Sequence, residues 1–89
     1  MYTVIETPAF LQQASKIWTA EEHDAFIDWI AENPLLGDVI AGTGGVRKVR
    51  WAAQGKGKRG GARIIYFNML EDGSVVLLTV YVKSIQTNL

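Results

Sequence analysis

The spacing of apolar residues along the chain predicts six elements in the order β-α-α-β-β-β. A short alternating segment with β-branched residues near the N-terminus is typical of a strand. Two segments with apolar residues at helical spacing follow, and three more segments rich in Val, Ile and aromatic residues complete the pattern. The predicted elements are strands at Tyr2–Glu6, Val46–Trp51, Ala62–Leu70 and Val75–Lys83, and helices beginning at Pro8 and Ala20.

Both predicted helices have local start signals. Thr7 followed by Pro8 is typical of an N-cap with proline at the first helical position. Thr19 and Glu22 form a capping box, in which each side chain satisfies the backbone N–H of the other residue. The second helix ends before Pro34, because the residue preceding a proline is pushed out of helical geometry. Two short helices joined by a tight turn predict an α-hairpin.

The strands are predicted to form a small, mainly antiparallel sheet with the α-hairpin packed on one face, which is an α+β domain. Leu35–Gly45 and Ala52–Gly61 are predicted as connections, and the Asp-Gly signal in Glu71–Ser74 predicts a hairpin turn. Strand parity decides which side chains share a face. The side chains expected toward the helices are Val49, Trp51, Val76, Leu78, Val80 and Val82. Those expected on the opposite face are Lys48, Arg50, Thr79, Tyr81 and Lys83.

Arg63 is harder to place by parity. It alternates in step with three apolar residues suited to the core, which are Ile65, Phe67 and Met69. We therefore expect Arg63 to reach the outer face only if its strand is irregular beside Gly60-Gly61.

Length and composition indicate one globular domain spanning residues 1–89. Apolar residues make up 48% of the chain, which argues against disorder. With no cysteine, disulfides, thiolate metal sites and cysteine nucleophiles are excluded, and a single histidine disfavours zinc. No metal or cofactor is therefore expected. The longest apolar run, Val75–Val82, is far shorter than the roughly 20 residues of a membrane helix, so we expect a cytoplasmic protein.

The net charge of zero hides a strong asymmetry between the two halves. Met1–Gly45 contains one basic and seven acidic residues, and the rest of the chain contains eight basic and two acidic residues. Seven of the nine Lys and Arg residues lie in Val46–Arg63. Such a concentration of bases predicts a surface for phosphate or nucleic acid. The alternative is that the two halves pair with each other.

Three motifs carry a resemblance to a known family. They are GDVIAGTGGVRKVR at Gly37–Arg50, GKGKRGGARIIY at Gly55–Tyr66 and LTVYVK at Leu78–Lys83. In these motifs and in the order of its elements, the chain resembles the RelE and HigB toxin superfamily, most closely the HigB branch. Its members are mRNA-cleaving toxins of bacterial type II toxin–antitoxin pairs. Two departures are Val82, where the branch usually has glycine or alanine, and an expected lack of the C-terminal helix found in relatives.

The resemblance implies a RelE-like fold and a ribosome-dependent endoribonuclease that cuts mRNA in the A site without a metal. Attack of a ribose 2′-hydroxyl on phosphate needs a base, charge stabilisation and an acid. Lys48 is the candidate base, since neighbouring positive charges disfavour its protonated form. Arg50 and Arg63 are the candidate phosphate clamps, because arginine grips phosphate with a planar fork. Tyr81 and Lys83 are the candidate acids.

The remaining bases of the basic stretch are predicted to bind the RNA backbone through charge alone. These residues are Arg47, Lys56, Lys58 and Arg59. The literal G-x-G-x-x-G at Gly55–Gly60 precedes a strand rather than a helix, which excludes a dinucleotide site.

Aromatic residues and a polar segment of the second helix also allow a functional interpretation. Trp51 is expected in the core, whereas Tyr66 and Tyr81 can either pack or stack on bases. Glu22, His23 and Asp24 resemble a ligand cluster only in composition, since adjacent helix residues point in different directions. A solvated helix face is the favoured interpretation of those three residues.

Two other functions fit the same basic surface. A non-catalytic module that binds nucleic acid or protein is compatible with the lack of a His and Glu pair near the bases. A ParE-like toxin that inhibits gyrase is the other alternative. The partners implied by the resemblance are a cognate antitoxin of the helix-turn-helix type, the ribosome and mRNA, with no membrane. The sequence does not specify the oligomeric state.

Overall fold

A computed structural model describes residues 2–52 and 61–82 of the chain. Within these ranges the molecule is an α+β fold, as predicted, and the six predicted elements are present in the predicted order. One short strand, in the segment predicted as a connection, is additional. None of the helices in these ranges is long and apolar enough to cross a bilayer. The elements are β1 Thr3–Glu6, α1 Pro8–Ile17, α2 Ala20–Glu32, β2 Asp38–Val39, β3 Val46–Trp51, β4 Ala62–Met69 and β5 Ser74–Val82.

The helix start signals act as predicted. The Thr7 hydroxyl accepts a hydrogen bond from the backbone N–H of Phe10 at 3.2 Å and donates one to the Leu77 carbonyl at 2.8 Å. The cap of α1 therefore also ties the helix to β5. In the capping box of α2, the Glu22 N–H donates to Thr19 Oγ1 at 3.1 Å, and the Thr19 N–H donates to Glu22 Oε1 at 2.9 Å.

The strands form one sheet in the order β1-β5-β4-β3-β2. β1 pairs with β5 in parallel, and the other three pairings are antiparallel. The mainly antiparallel sheet is therefore confirmed. The turn between β4 and β5 is a 3-10 turn at Leu70–Asp72 followed by Gly73, whose φ of +70° suits glycine rather than residues with a Cβ atom.

The core lies between the helices and one face of the sheet. It includes a cluster of aromatic side chains. The centroid of the Trp51 ring lies 5.5 Å from the centroid of the Trp18 ring and 5.4 Å from the centroid of the Phe26 ring. The prediction that Trp51 packs in the core is confirmed, and Val49 packs on the same side. The fully or almost fully buried side chains around them are Phe10, Ala14, Phe26, Ile30, Ala62, Ile64, Tyr66, Val75, Leu77 and Val80.

A β-bulge in β5 overturns part of the predicted side-chain alternation. Val75 and Leu77 are fully buried, whereas Val76 and Leu78 are only half-buried, so their predicted helix-facing placement was wrong. The register shifts by one residue at Leu78, and Val80 then faces the helices as predicted. Period-two alternation cannot reveal an inserted residue in a strand that is apolar on both faces.

The parity predicted for β4 was also wrong. Ala62, Ile64 and Tyr66 are the buried residues, whereas Ile65 and Phe67 lie half-buried on the opposite face. The Tyr66 side chain can be fully buried because its hydroxyl has hydrogen-bond partners inside the protein. Arg63 therefore reaches the outer face by regular alternation, and no irregularity is needed.

Candidate active site

The outer face of the sheet carries a row of cationic and phenolic side chains across three strands. Arg50 on β3 is paired with Arg63 on β4, and Arg63 is paired with Tyr81 on β5. Side chains paired in this way project from the same face with Cβ atoms about 5 Å apart. Lys48 precedes Arg50 by two residues and so lies on the same face. The fold thus brings together four of the five predicted catalytic residues.

A cavity of about 350 Å³ opens over this part of the sheet. We call it the cationic cleft; its lining residues are Leu36, Asp38, Lys48, Val49, Arg50 and Arg63. Lys48 and Arg50 are exposed and Arg63 is half-buried, while Tyr81 stands beside Arg63 with 41% of its surface exposed. The described lining residues therefore offer three positive charges and one negative charge to a ligand from solvent.

The three cations of the cleft are not neutralised by neighbouring carboxylates. Among residues 2–52 and 61–82, Lys48, Arg50 and Arg63 have no ion pair within 4.0 Å. Like charges placed directly opposite each other in a sheet destabilise the pairing. Arg50 and Arg63 are such a pair. An arrangement of this kind favours a bound anion, and a phosphodiester fits the planar fork of arginine.

One wall of the cleft is the segment between α2 and β2, which is fastened to the helix-facing side of the sheet. The Tyr66 hydroxyl donates to the Pro34 carbonyl at 2.8 Å and accepts from the Gly37 N–H at 3.0 Å. Asn68 donates from Nδ2 to the same Pro34 carbonyl at 2.9 Å. These bonds position the cleft residues Leu36 and Asp38, which lie in or directly after this segment.

The attachment of this segment depends on the close approach of the Gly37 backbone to Tyr66 and to the backbone of Lys48. A Cβ atom there would lie 2.6 Å from the Tyr66 hydroxyl oxygen and 2.9 Å from the Lys48 carbonyl oxygen, so only glycine fits. Burial raises the pKa of Tyr66 above the ordinary value of 10.0, and the Gly37 hydrogen bond and the Arg47 charge partly offset that rise. The phenol therefore stays neutral and donates a hydrogen bond to the Pro34 carbonyl oxygen.

Arg47 lies on the opposite face of β3 from the cleft. It is paired with the buried Tyr66, and its guanidinium donates to the Gly37 carbonyl at 2.6 Å and to the Leu35 carbonyl at 3.2 Å. The structure thus gives Arg47 a part in holding the Leu35–Gly37 segment. Its direct contact with RNA stays a prediction.

Several predicted site residues fall outside the part of the chain that the structure describes. They are Lys83 and the predicted RNA-backbone residues Lys56, Lys58 and Arg59.

Thr79, expected beside Tyr81 on the outer face, donates a hydrogen bond to Gln13 of α1 at 2.9 Å. Tyr66 is fully buried, so the alternative in which it stacks on bases was wrong.

Sequence reasoning missed Asp38 and Leu36 as residues of the cleft. Both lie in the segment predicted as a connection, and Asp38 is placed there by pairing with Lys48 across the short β2–β3 ladder. The turn between β2 and β3 contains Gly42, Gly44 and Gly45, all with positive φ. A glycine-rich turn before a strand was the available signal for a hairpin.

The interpretation of His23 as part of a solvated helix face was wrong. Its Nε2 lies 2.5 Å from Glu6 Oε1, and only 23% of the His23 side chain is exposed. Its ring also contacts Phe10 and Trp18, with ring centroids 5.9 and 6.0 Å apart. His23 thus joins α2 to β1. In residues 2–52 and 61–82, no group of three His, Asp or Glu side chains is arranged to hold a metal ion.

Comparison with solved structures places this architecture among known folds, although no protein-family model matches the sequence. An intact E. coli RelBE toxin–antitoxin complex contains a chain that superposes with a TM-score of 0.66, covering 90% of this chain and 94% of that one at 17% identity. The present chain has the fold of RelE. The isolated E. coli RelE toxin gives a TM-score of 0.65 at 17% identity, with 90% and 82% covered.

A third RelE structure agrees with the first two. The free E. coli RelE toxin in which two arginines are replaced by alanine gives a TM-score of 0.64 at 17% identity, covering 89% of this chain and 80% of that one. The TM-scores establish the RelE fold, whereas 17% identity does not establish the activity. The predicted RelE-like fold is confirmed, and the assignment to the HigB branch stays a prediction that depends on the sequence motifs.

Proposed function

We propose that this chain is the toxin of a toxin–antitoxin pair and acts as an endoribonuclease on mRNA in the ribosomal A site. The observation that carries the proposal is the meeting of Lys48, Arg50 and Arg63 in one solvent-open cleft, with Tyr81 beside it, on a RelE-like fold. The motifs shared with the HigB branch support the same activity.

In the proposed reaction, the ribose 2′-hydroxyl attacks the adjacent phosphorus and the bond to the next 5′-oxygen breaks. The products are a 2′,3′-cyclic phosphate and a free 5′-hydroxyl. Arg50 and Arg63 donate hydrogen bonds to the phosphate oxygens, where negative charge grows in the transition state. Lys48 adds a third positive charge or, when neutral, serves as the base predicted from sequence.

The leaving 5′-oxygen needs a proton, and Tyr81 is the described residue placed to supply it. Its strand pairing puts its phenol next to the Arg63 clamp. Lys83 is the alternative acid. Lys56, Lys58 and Arg59 would bind RNA backbone outside the reaction centre, with an affinity that falls as salt rises.

The proposed function includes partners and location. A RelE chain found within a toxin–antitoxin complex supports a cognate antitoxin for this chain, of the helix-turn-helix type that the family resemblance implies. Ribosomes and mRNA are the proposed target, and the cytoplasm is the proposed location because translation takes place there.

Inducible expression in a bacterial host tests the proposal. Growth arrest, rescue by the neighbouring open reading frame, and primer-extension stops at A-site codons of translated messages are expected. Growth arrest without cuts in mRNA would support the non-catalytic module. DNA damage without cuts in mRNA would support the ParE-like toxin, and either result would overturn the proposed activity.

A further inference from the structure

Among the described residues that line the cationic cleft, Asp38 is the acidic one. It lies in β2, directly opposite Lys48, and its side chain is exposed. Within residues 2–52 and 61–82 its carboxylate has no hydrogen bond and no cation within 4.0 Å, although it shares the cleft with three cations. A carboxylate that makes no bond to its cationic neighbours is available to a ligand.

In strand order, Asp38 and Tyr81 lie on opposite sides of the two arginines. Along the strands, Asp38 is level with Lys48, two residues from the row formed by Arg50, Arg63 and Tyr81. β2 carries Asp38, β3 and β4 carry Arg50 and Arg63, and β5 carries Tyr81. With about 4.8 Å between neighbouring strands, β2 and β5 are about 14 Å apart. Side chains reaching inward from both strands can meet a phosphate held in the cleft between Lys48 and the two arginines. In-line displacement requires this order, because the attacking and leaving oxygens lie on opposite sides of phosphorus.

The geometry points to Asp38 as the general base of the reaction. This inference deepens the proposed function and depends on it. The Asp38 carboxylate takes the proton of the 2′-hydroxyl while the 2′-oxygen bonds to phosphorus. The bond from phosphorus to the 5′-oxygen breaks, and the Tyr81 phenol gives its proton to that oxygen. Asp38 ends protonated and Tyr81 ends ionised, and exchange with water restores both groups.

The chemistry of the two side chains favours Asp38 over Lys48 for this step. A carboxylate has lone pairs that accept a proton, whereas an ammonium group has three N–H donors and no acceptor. Lys48 then acts throughout as a cation that stabilises the phosphorane. The charged groups facing Asp38 are Lys48 and Arg50 on β3 and Arg63 on β4, and its charge also acts on Tyr66 beneath the segment.

Single-turnover cleavage of mRNA on purified ribosomes tests the inference with the full chain. We expect Asp38→Asn to slow cleavage by about 100-fold or more, the range of a lost general base, with ribosome affinity unchanged or tighter. Asp38→Glu keeps the carboxylate and should restore part of the rate. Asp28→Asn is the matched control, since it removes the same charge from the exposed surface of α2 and should leave the rate unchanged.

The pH dependence of the cleavage rate distinguishes the loss of a general base from a loss of folded structure. The wild-type rate should fall at acidic pH as the carboxylate is protonated, and Asp38→Asn should lose that dependence while keeping the wild-type melting temperature. Cleavage by Asp38→Asn as fast as by Asp28→Asn would overturn the assignment and leave the proposed function standing. A wild-type protein that leaves the message intact, or that cuts it equally well when the scissile ribose lacks its 2′-hydroxyl, would overturn both.

Discussion

Arg50 and Arg63 stand directly opposite each other on the antiparallel strands β3 and β4, with both side chains on the outer face. Neither has an ion pair within 4.0 Å among residues 2–52 and 61–82. Their repulsion destabilises the empty protein, and a phosphate bound between them would relieve it. The pair therefore links the stability of the sheet to occupation of the cleft.

Arg50→Met should stabilise the fold while removing the activity. Methionine keeps an unbranched side chain and removes one of the two opposed charges, so we expect the melting temperature to rise by about 1–5 °C. Thermal unfolding by circular dichroism measures the change. The gain should shrink at high salt, which screens the repulsion.

Lys16→Met is the control for that comparison, since Lys16 lies exposed on α1 away from the cleft. It should leave the growth inhibition close to wild type and should lower the melting temperature slightly, because Lys16 lies in the last turn of α1, where a positive charge stabilises the helix. A decrease in the melting temperature of Arg50→Met would show that the opposed arginines do not destabilise the sheet.

Lys48→Ala and Arg63→Ala should each abolish growth inhibition while leaving the fold intact. Each substitution removes a charge that contacts the scissile phosphate in the proposed reaction, and loss of one such donor typically costs about 100- to 1000-fold in rate. Growth curves after induction and primer extension on translated messages measure the loss. With Lys16→Ala as the charge-matched control, full toxicity of both cleft variants would disprove the site assignment.

Tyr66→Phe should destabilise the protein and weaken the cleft. It removes the acceptor of the Gly37 N–H and leaves that buried donor unsatisfied, at a cost of about 1–3 kcal/mol. Urea denaturation measures this loss, and Tyr81→Phe, which alters an exposed phenol, should leave the free energy of unfolding unchanged. An unchanged midpoint for Tyr66→Phe would mean that the hydroxyl does not hold the segment.

Alkaline pH should destabilise the wild-type protein through Tyr66. Burial raises the pKa of this phenol above 10.0, so the folded state holds the proton more tightly than the unfolded state. The stabilisation is fully present below the unfolded-state pKa of about 10 and is lost as pH rises through the higher folded-state value. Denaturation midpoints measured from pH 7 upward should fall less steeply for Tyr66→Phe, and parallel curves would contradict this origin.

Local signals made the helices and β3 predictable from sequence. Thr7 and Thr19 start their helices through hydrogen bonds with residues three positions away. Such bonds can be predicted from the local sequence alone. In β3, polar residues alternate with Val49 and Trp51, so one choice of buried face leaves Lys48 and Arg50 outside.

The central strands were less predictable because both of their faces are apolar. In β4, Ile64 and Ile65 are equally suited to burial, and the choice depends on how Tyr66 finds partners for its hydroxyl in another segment. The bulge at Leu78 then changes the alternation of β5. Asp38 was missed because β2 has two residues and exists only through its pairing with β3.

The parallel pairing of β1 with β5 has a consequence for the synthesis of the protein. β1 and α1 emerge first from the ribosomal exit tunnel, but the strand on which both are assembled is β5. A nascent chain that has exposed only its first half therefore lacks the surface needed to bury Phe10 and its neighbours. β5 also pairs with β4, so the sheet that carries the cleft is not fully assembled until β5 has left the tunnel.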